Sequence, residues 1–230
     1  MHGSVTGGKR TWSEQRPLAS RWTLLVVDRP GFGRSADVDR VDFDVDARLI
    51  ADLVDRPTHL VGHSYGGVIA LLAAARRPEA VRSLTVIEPP AFAVAAGYPE
   101  VDRVVTAMKE HWARGPREPE AFLRRFLELV GSDFRAPSPL PAELERGARV
   151  LRDERGPWEA EIPLRDLATA AFPALVVSGG HHPAFDAVCD VLGARLGAER
   201  AVIPGRGHSV QRAGTTFNDR LEGFLLRAER

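Results

Sequence analysis

The sequence predicts an α/β fold: a mostly parallel sheet with flanking helices and an inserted helical cap. Three observations carry this. Runs such as Leu24-Leu25-Val26-Val27 are continuously apolar, as strands covered on both faces should be. Helical spacings separate those runs, which is how parallel strands are joined. A stretch of some seventy residues in the middle lacks any strand pattern and is rich in proline.

Taken in order, strands are expected at 22–28, 58–62, 83–88, 174–179 and 200–204, each closed by a turn signal. Leu49, Ile50, Leu53 and Val54 give a helix over 46–55. Val68, Ile69, Leu71, Leu72 and Ala75 give another over 66–77, stopped by Pro78. Helices over 185–196 and 217–228 read the same way. Between them, Val101, Val104, Val105, Met108 and Trp112 form one apolar stripe, and Phe122, Phe126, Leu129 and Val130 another. Pro116, Pro119, Pro137, Pro139, Pro141 and Pro157 divide this region. The division expected is a core of residues 1–89 and 164–230, with 90–163 as a helical cap insertion.

The chain's 230 residues suit one domain with an insertion. Lys and Arg number 31 and Asp and Glu 31, so no net charge draws the chain to nucleic acid or to an anionic membrane. The expected partner is a small-molecule substrate. Cys189 is the one cysteine and cannot form an internal disulfide, which fits a reducing compartment. No apolar run follows a basic start, and none approaches the ~20 residues of a membrane span. A soluble, cytoplasmic protein is expected.

The strongest chemical signal is His59-Leu60-Val61-Gly62-His63-Ser64-Tyr65-Gly66-Gly67, a strand, then Gly-x-Ser-x-Gly, then a helix. A serine at the apex of so tight a turn cannot tolerate side chains two residues before and after it, which Gly62 and Gly66 lack. Gly67 lets the helix approach the sheet. Ser64 is therefore the candidate nucleophile, and the helix start offers the Tyr65 N–H to a developing oxyanion.

With these residues the chain resembles the α/β-hydrolase family over nearly its whole length. The resemblance rests on His2-Gly3, on Asp28-Arg29-Pro30-Gly31-Phe32-Gly33-Arg34-Ser35, on Gly62 to Gly67 and on Gly205-Arg206-Gly207-His208. It implies a second oxyanion donor at the backbone N–H of Ser4, directly after His2-Gly3. It also implies His208 as the general base, in the loop after the last strand.

The acid departs from the family pattern. The usual turn after the strand at 174–178 here reads Gly179-Gly180-His181-His182-Pro183, with His182 in the acid's place. A histidine cannot orient and stabilise an imidazolium as a carboxylate does. Glu88, at the end of the strand after the nucleophile's helix, is the first candidate. Asp186, four residues beyond His182, is the alternative, and the absence of a working acid is a third reading.

Other motifs fall away. Gly3-Ser4-Val5-Thr6-Gly7-Gly8-Lys9 imitates a phosphate loop, but Arg10 replaces the Ser or Thr that would hold magnesium. Asp42-Phe43-Asp44-Val45-Asp46 imitates a calcium loop, but Ala47 and Leu53 stand where Gly and Glu are required. His181-His182 has no third ligand at metal spacing. No metal and no cofactor are expected.

The expectation is a serine hydrolase acting on an ester, thioester or lactone of a small organic acid. The rivals are a cofactor-free lyase or biosynthetic catalyst of the same fold, and a non-catalytic binding protein. Cap residues Phe92, Met108, Trp112, Phe122 and Phe126 are expected to wall an apolar pocket, or simply to pack the cap. Members of the resembled family carry strands before the His-Gly loop. A gap or re-pairing between 22–28 and 58–62 is therefore expected.

Overall fold

The structure, a computed structural model, describes residues 1–230. Four strands, β1 (Thr58–His63), β2 (Val81–Ile87), β3 (Ala174–Ser178) and β4 (Glu199–Val202), form one parallel sheet in the order β1-β2-β3-β4. Every neighbouring pair is parallel, and the register sets His63 beside Ile87 and Ile87 beside Val177.

The central strands β2 and β3 are buried on both sides because their residues alternate between two apolar layers. Leu84, Val86 and Val176 face α2 (Phe43–Leu53), α3 (Tyr65–Arg76) and α8 (Pro183–Leu196). Ile87, Leu175, Val177 and Ile203 face α9 (Thr215–Ala228), where Phe217, Leu221, Phe224 and Leu225 pack with Leu18. α3 is apolar nearly all round, as a helix between sheet and surface layer must be.

Between β2 and β3 the chain is helical: α4 (Pro99–Arg114), α5 (Pro119–Leu129), α6 (Ala142–Asp153) and α7 (Leu164–Thr169). Val101, Val104 and Met108 join the main core, whereas Phe122, Leu123, Leu144, Ala148 and Leu151 form a separate cluster that includes Val5. A short helix, α1 (Gly8–Thr11), follows the N-terminal loop. No helix is long and apolar enough to cross a membrane.

The strand expected at 22–28 is absent from the sheet. That segment makes no strand pairing, and Leu24, Leu25 and Val26 are exposed. The free edge of β1 is taken instead by Met1, whose amino group donates to Val61 O and whose carbonyl accepts from His63 N at 3.1 Å. An apolar run becomes a strand only where it pairs with a neighbour, and at Val61 and His63 it is Met1 rather than 22–28 that bonds to β1.

The phosphate-loop and calcium-loop imitations have plain structural roles. Gly8 N donates to Asp28 Oδ1 at 2.8 Å, tying the first loop to the Asp28–Ser35 turn. Asp42 caps α2, its Oδ1 accepting from Asp44 N at 2.8 Å.

Candidate active site

Ser64 sits between β1 and α3 with φ +53° and ψ −128°, a conformation L-residues rarely adopt. The surrounding packing explains why glycines flank it. A Cβ on Gly62 would lie 2.3 Å from the Gly66 carbonyl oxygen, and one on Gly66 would lie 2.4 Å from that of His2. Besides Ser64, the non-glycine residues at positive φ are Val5 and Glu88, and all three border the same site. Such backbone costs of order 1–3 kcal/mol per residue, so the surrounding packing must hold it in place.

His208 bridges the other two groups. Its Nε2 lies 2.8 Å from Ser64 Oγ and its Nδ1 lies 2.7 Å from Glu88 Oε2. With a carboxylate on one side, Nδ1 carries the proton and Nε2 is left to accept from the serine hydroxyl. Glu88 is fully buried at the end of β2, and its Oε1 accepts the Gly179 N–H at 2.7 Å. Burial opposes its charge. The His181 Nδ1 contact, the hydrogen bond to the His208 ring and the Gly179 N–H together outweigh burial and hold the carboxyl at about 2.

Asp186, the alternative acid, is not brought to His208. Its Oδ1 accepts from Ser178 Oγ and lies 3.6 Å from Arg200 Nη2. His182 caps α8, with Nδ1 accepting from Ala184 N at 3.3 Å. His181 instead reaches Glu88 Oε1, 3.2 Å from its Nδ1. Burial opposes the His181 charge, but Glu88 outweighs it and raises the pKa. Glu88, His181 and His208 have donor atoms within 4.8 Å of one another. A cation there would have to displace the Glu88–His208 and Glu88–Gly179 bonds.

His63 packs against the His208 loop. Its Nε2 donates to the His208 carbonyl at 2.8 Å and so braces the loop that carries His208. Burial, then the His208 charge, pushes it down to about 3, and it stays neutral.

The expected oxyanion donors, Ser4 and Tyr65, stand on opposite sides of Ser64 in the chain path. Tyr65 is the first residue of α3, where backbone N–H groups lack helical partners. Gly3 packs against Ser64 so closely that a Cβ on it would come within 2.9 Å of Ser64 Cβ. The Gly3 carbonyl, in the same peptide as the Ser4 N–H, accepts from His2 Nδ1 at 2.7 Å and from Arg29 Nη1 at 3.0 Å. Both partners pull the carbonyl one way, and in a trans peptide the Ser4 N–H then points the other way.

Arg29 is wholly buried and pairs with Asp46 at 2.9 Å and with Glu154 at 3.0 Å. Its guanidinium also lies 4.5 Å from the Tyr65 ring centroid. Glu154 takes a further bond from the Ser4 hydroxyl. Burial opposes the Arg29 charge, but Glu154 and Asp46 hold it more firmly protonated than usual. Two carboxylates share this one cation, and burial pushes both up against its pull. In the sequence Arg29 is marked only by its place in the Asp28–Ser35 stretch. Glu154, 125 residues further on, carried no local signal.

A cavity of about 280 Å³ opens on Ser64 and His208. Its apolar wall is Val5, Phe126, Leu127, Val130 and Phe134. Of the five aromatic and methionine residues expected there, Phe126 alone lines it. Phe92 and Met108 are in the main core, and Phe122 stacks on His111 at 4.0 Å. Trp112 packs edge-on to Phe122 at 5.2 Å.

This turn on a parallel sheet, with Ser64, His208 and the buried Glu88 in line, defines a class. The chain belongs to the alpha/beta hydrolase family, whose profile matches residues 1–220. It is 34% identical over 169 residues to the pimeloyl-[acyl-carrier protein] methyl ester esterase of Methylococcus capsulatus, covering 73% of this chain. The match spans 62% of that relative's length. Among solved structures, a bacterial membrane phospholipase A superposes with a TM-score of 0.71 at 27% identity, covering 100% of this chain and 78% of that one. An N-acyl homoserine lactone degrading enzyme gives 0.65 at 26% identity, covering 97% and 91%.

Proposed function

We propose that the chain is a serine hydrolase cleaving an ester, thioester or lactone of a small organic acid. The carrying observation is the unbroken line from Ser64 Oγ through the His208 ring to Glu88, with links of 2.8 and 2.7 Å. The likeness to a methyl ester esterase and to a lactone-degrading enzyme supports the same chemistry.

In this reading Ser64 Oγ attacks the substrate carbonyl while its proton passes to His208 Nε2. Glu88, charged at neutral pH, fixes the ring and stabilises the imidazolium. The N–H groups of Ser4 and Tyr65 hold the oxyanion of the tetrahedral intermediate. His208 returns its proton to the leaving oxygen or sulfur, and an acyl group remains on Ser64. Water, deprotonated by His208, then releases the acid and restores the serine. Residues 90–163 act as the cap, and their Phe126, Leu127, Val130 and Phe134 shape the acyl site.

The test is hydrolysis of a p-nitrophenyl ester series of increasing acyl length, with Ser64→Ala as control, together with fluorophosphonate labelling. Ester cleavage lost in Ser64→Ala and labelling confined to Ser64 are expected. A folded protein that neither cleaves any ester nor takes the label would sink the reading.

A further inference from the structure

The cavity beside Ser64 is charged in an unusual way. Its wall includes Arg10, Arg135, Arg206 and Arg212 against a single acid, Asp133. The chain as a whole carries equal numbers of basic and acidic residues, so this is a local concentration of positive charge.

The pairing of these arginines separates them from others on the surface. A second cavity is lined by Arg76 and Arg155, and both are neutralised: Arg76 meets Asp44 at 3.1 Å, and Arg155 meets Asp44 at 3.2 Å and Glu159 at 2.9 Å. At the Ser64 cavity, Arg10 has only Glu143 at 3.8 Å, while Arg135, Arg206 and Arg212 form no ion pair. Arg212 rests against the Arg10 carbonyl at 3.5 Å. Its charge reaches the site, adding to burial and to His208 in keeping His63 neutral. Unpaired guanidinium groups around a concave site suit an anion, because their planar donor forks match carboxylate and phosphate oxygens.

We propose that this cavity selects esters or thioesters bearing a carboxylate or phosphate, with the anion held by Arg135, Arg206 and Arg212 while the reacting carbonyl lies at Ser64. The assignment rests on the hydrolase reading above for the carbonyl, and on the arginines alone for the anion. Part of each arginine is open to solvent, so the selectivity is moderate and falls with salt.

The test compares monomethyl adipate, an anionic half-ester, with dimethyl adipate, its neutral counterpart. Binding to Ser64→Ala is measured by calorimetry, and turnover is measured on the unaltered enzyme. The half-ester is expected to bind about tenfold more tightly at low salt, with the advantage shrinking as the Debye length shortens. The double variant Arg135→Ala, Arg212→Ala should lower half-ester affinity more than diester affinity. A phosphate-ended ester of equal length tells which anion is preferred, and preference for either one supports the assignment. Equal binding of half-ester and diester, with Ser64-dependent cleavage of both, overturns the anion site and leaves the hydrolase standing. Tighter half-ester binding without cleavage of any ester leaves the anion site standing and removes the hydrolase.

Discussion

Glu88 reaches His208 from the end of β2, its Oε2 2.7 Å from the ring Nδ1, across 120 residues of sequence. The same strand supplies the Ile87 carbonyl that accepts from Ser64 N at 2.8 Å. Ser64 is thus tied to the strand that leads into Glu88, whose own N–H donates to Val177 O of β3 at 2.9 Å, and Glu88 takes up a strained φ of +44° beside the ring.

Glu88→Gln should lower kcat by about 10³–10⁴, as loss of a buried orienting carboxylate does in serine hydrolysis, with little change in KM. Asp186→Asn, which touches Ser178 and Arg200 instead, should stay within about threefold. Steady-state kinetics on one ester settles the comparison. A larger loss from Asp186→Asn would exchange the two roles.

Stability should fall with acid. His63 is neutral in the fold down to about 3 but titrates from its ordinary value of 6.5 when unfolded. Between those values the unfolded chain binds a proton that the native chain does not, so stability is present above 6.5 and is lost as pH drops. Glu88 adds the same sign between its ordinary 4.5 and about 2. Each group contributes a slope of up to about 1.4 kcal/mol per pH unit inside its window. Burial also shifts down the Met1 amino group, His2, His59, His111 and His182, and each adds the same sign. Urea unfolding at stepped pH should therefore show a decline on acidification that His63→Asn lessens, without abolishing it, below the ordinary histidine value of 6.5. An unchanged slope in that variant contradicts the account.

Gly66→Ala should fold yet lose most of its activity. The new methyl would meet the Met1 and His2 carbonyls at 2.6 and 2.4 Å and push the loop carrying the Ser4 N–H away from Ser64. Loss of one oxyanion donor lowers kcat by about 10²–10³. The check is kcat beside a circular-dichroism melt, and a fully active variant would refute the close packing.

Removing the Arg29 cation should be among the more damaging single changes. Arg29→Met leaves Asp46 and Glu154 buried without a counter-charge, a loss of about 3–5 kcal/mol in comparable buried pairs. Glu154→Gln keeps the shape and one carboxylate for the cation, so it should cost less. Chemical denaturation of both variants measures the difference, and equal midpoints would be inconsistent with a shared cation.

Much of this arrangement is readable along the chain because local physics writes it there. The strands at 58–62, 83–88, 174–179 and 200–204 each lie within a residue or two of their observed bounds, since apolar runs closed by turns need only a neighbouring partner. Ser64 and His208 are legible for a related reason: a tight strand-to-helix turn demands its own glycines, and a glycine-rich loop carries the histidine. The segment at 22–28 reads identically yet pairs with no strand, because pairing depends on which segment reaches an edge, and at Val61 and His63 that is Met1.

The sequence by itself determined the layered α/β order, the position of Ser64 in its turn and two carboxylates worth weighing. Only the tertiary structure shows that Glu88 and not Asp186 touches the His208 ring, because that contact depends on which strand end faces the ring rather than on residue type. It also decided that His181 supports Glu88, that Arg29 and Glu154 clasp the Gly3–Ser4 peptide, and that four arginines meet at one cavity. Those contacts join residues up to 202 positions apart. Charge and burial act through space, and a linear pattern records only what neighbours along the chain require.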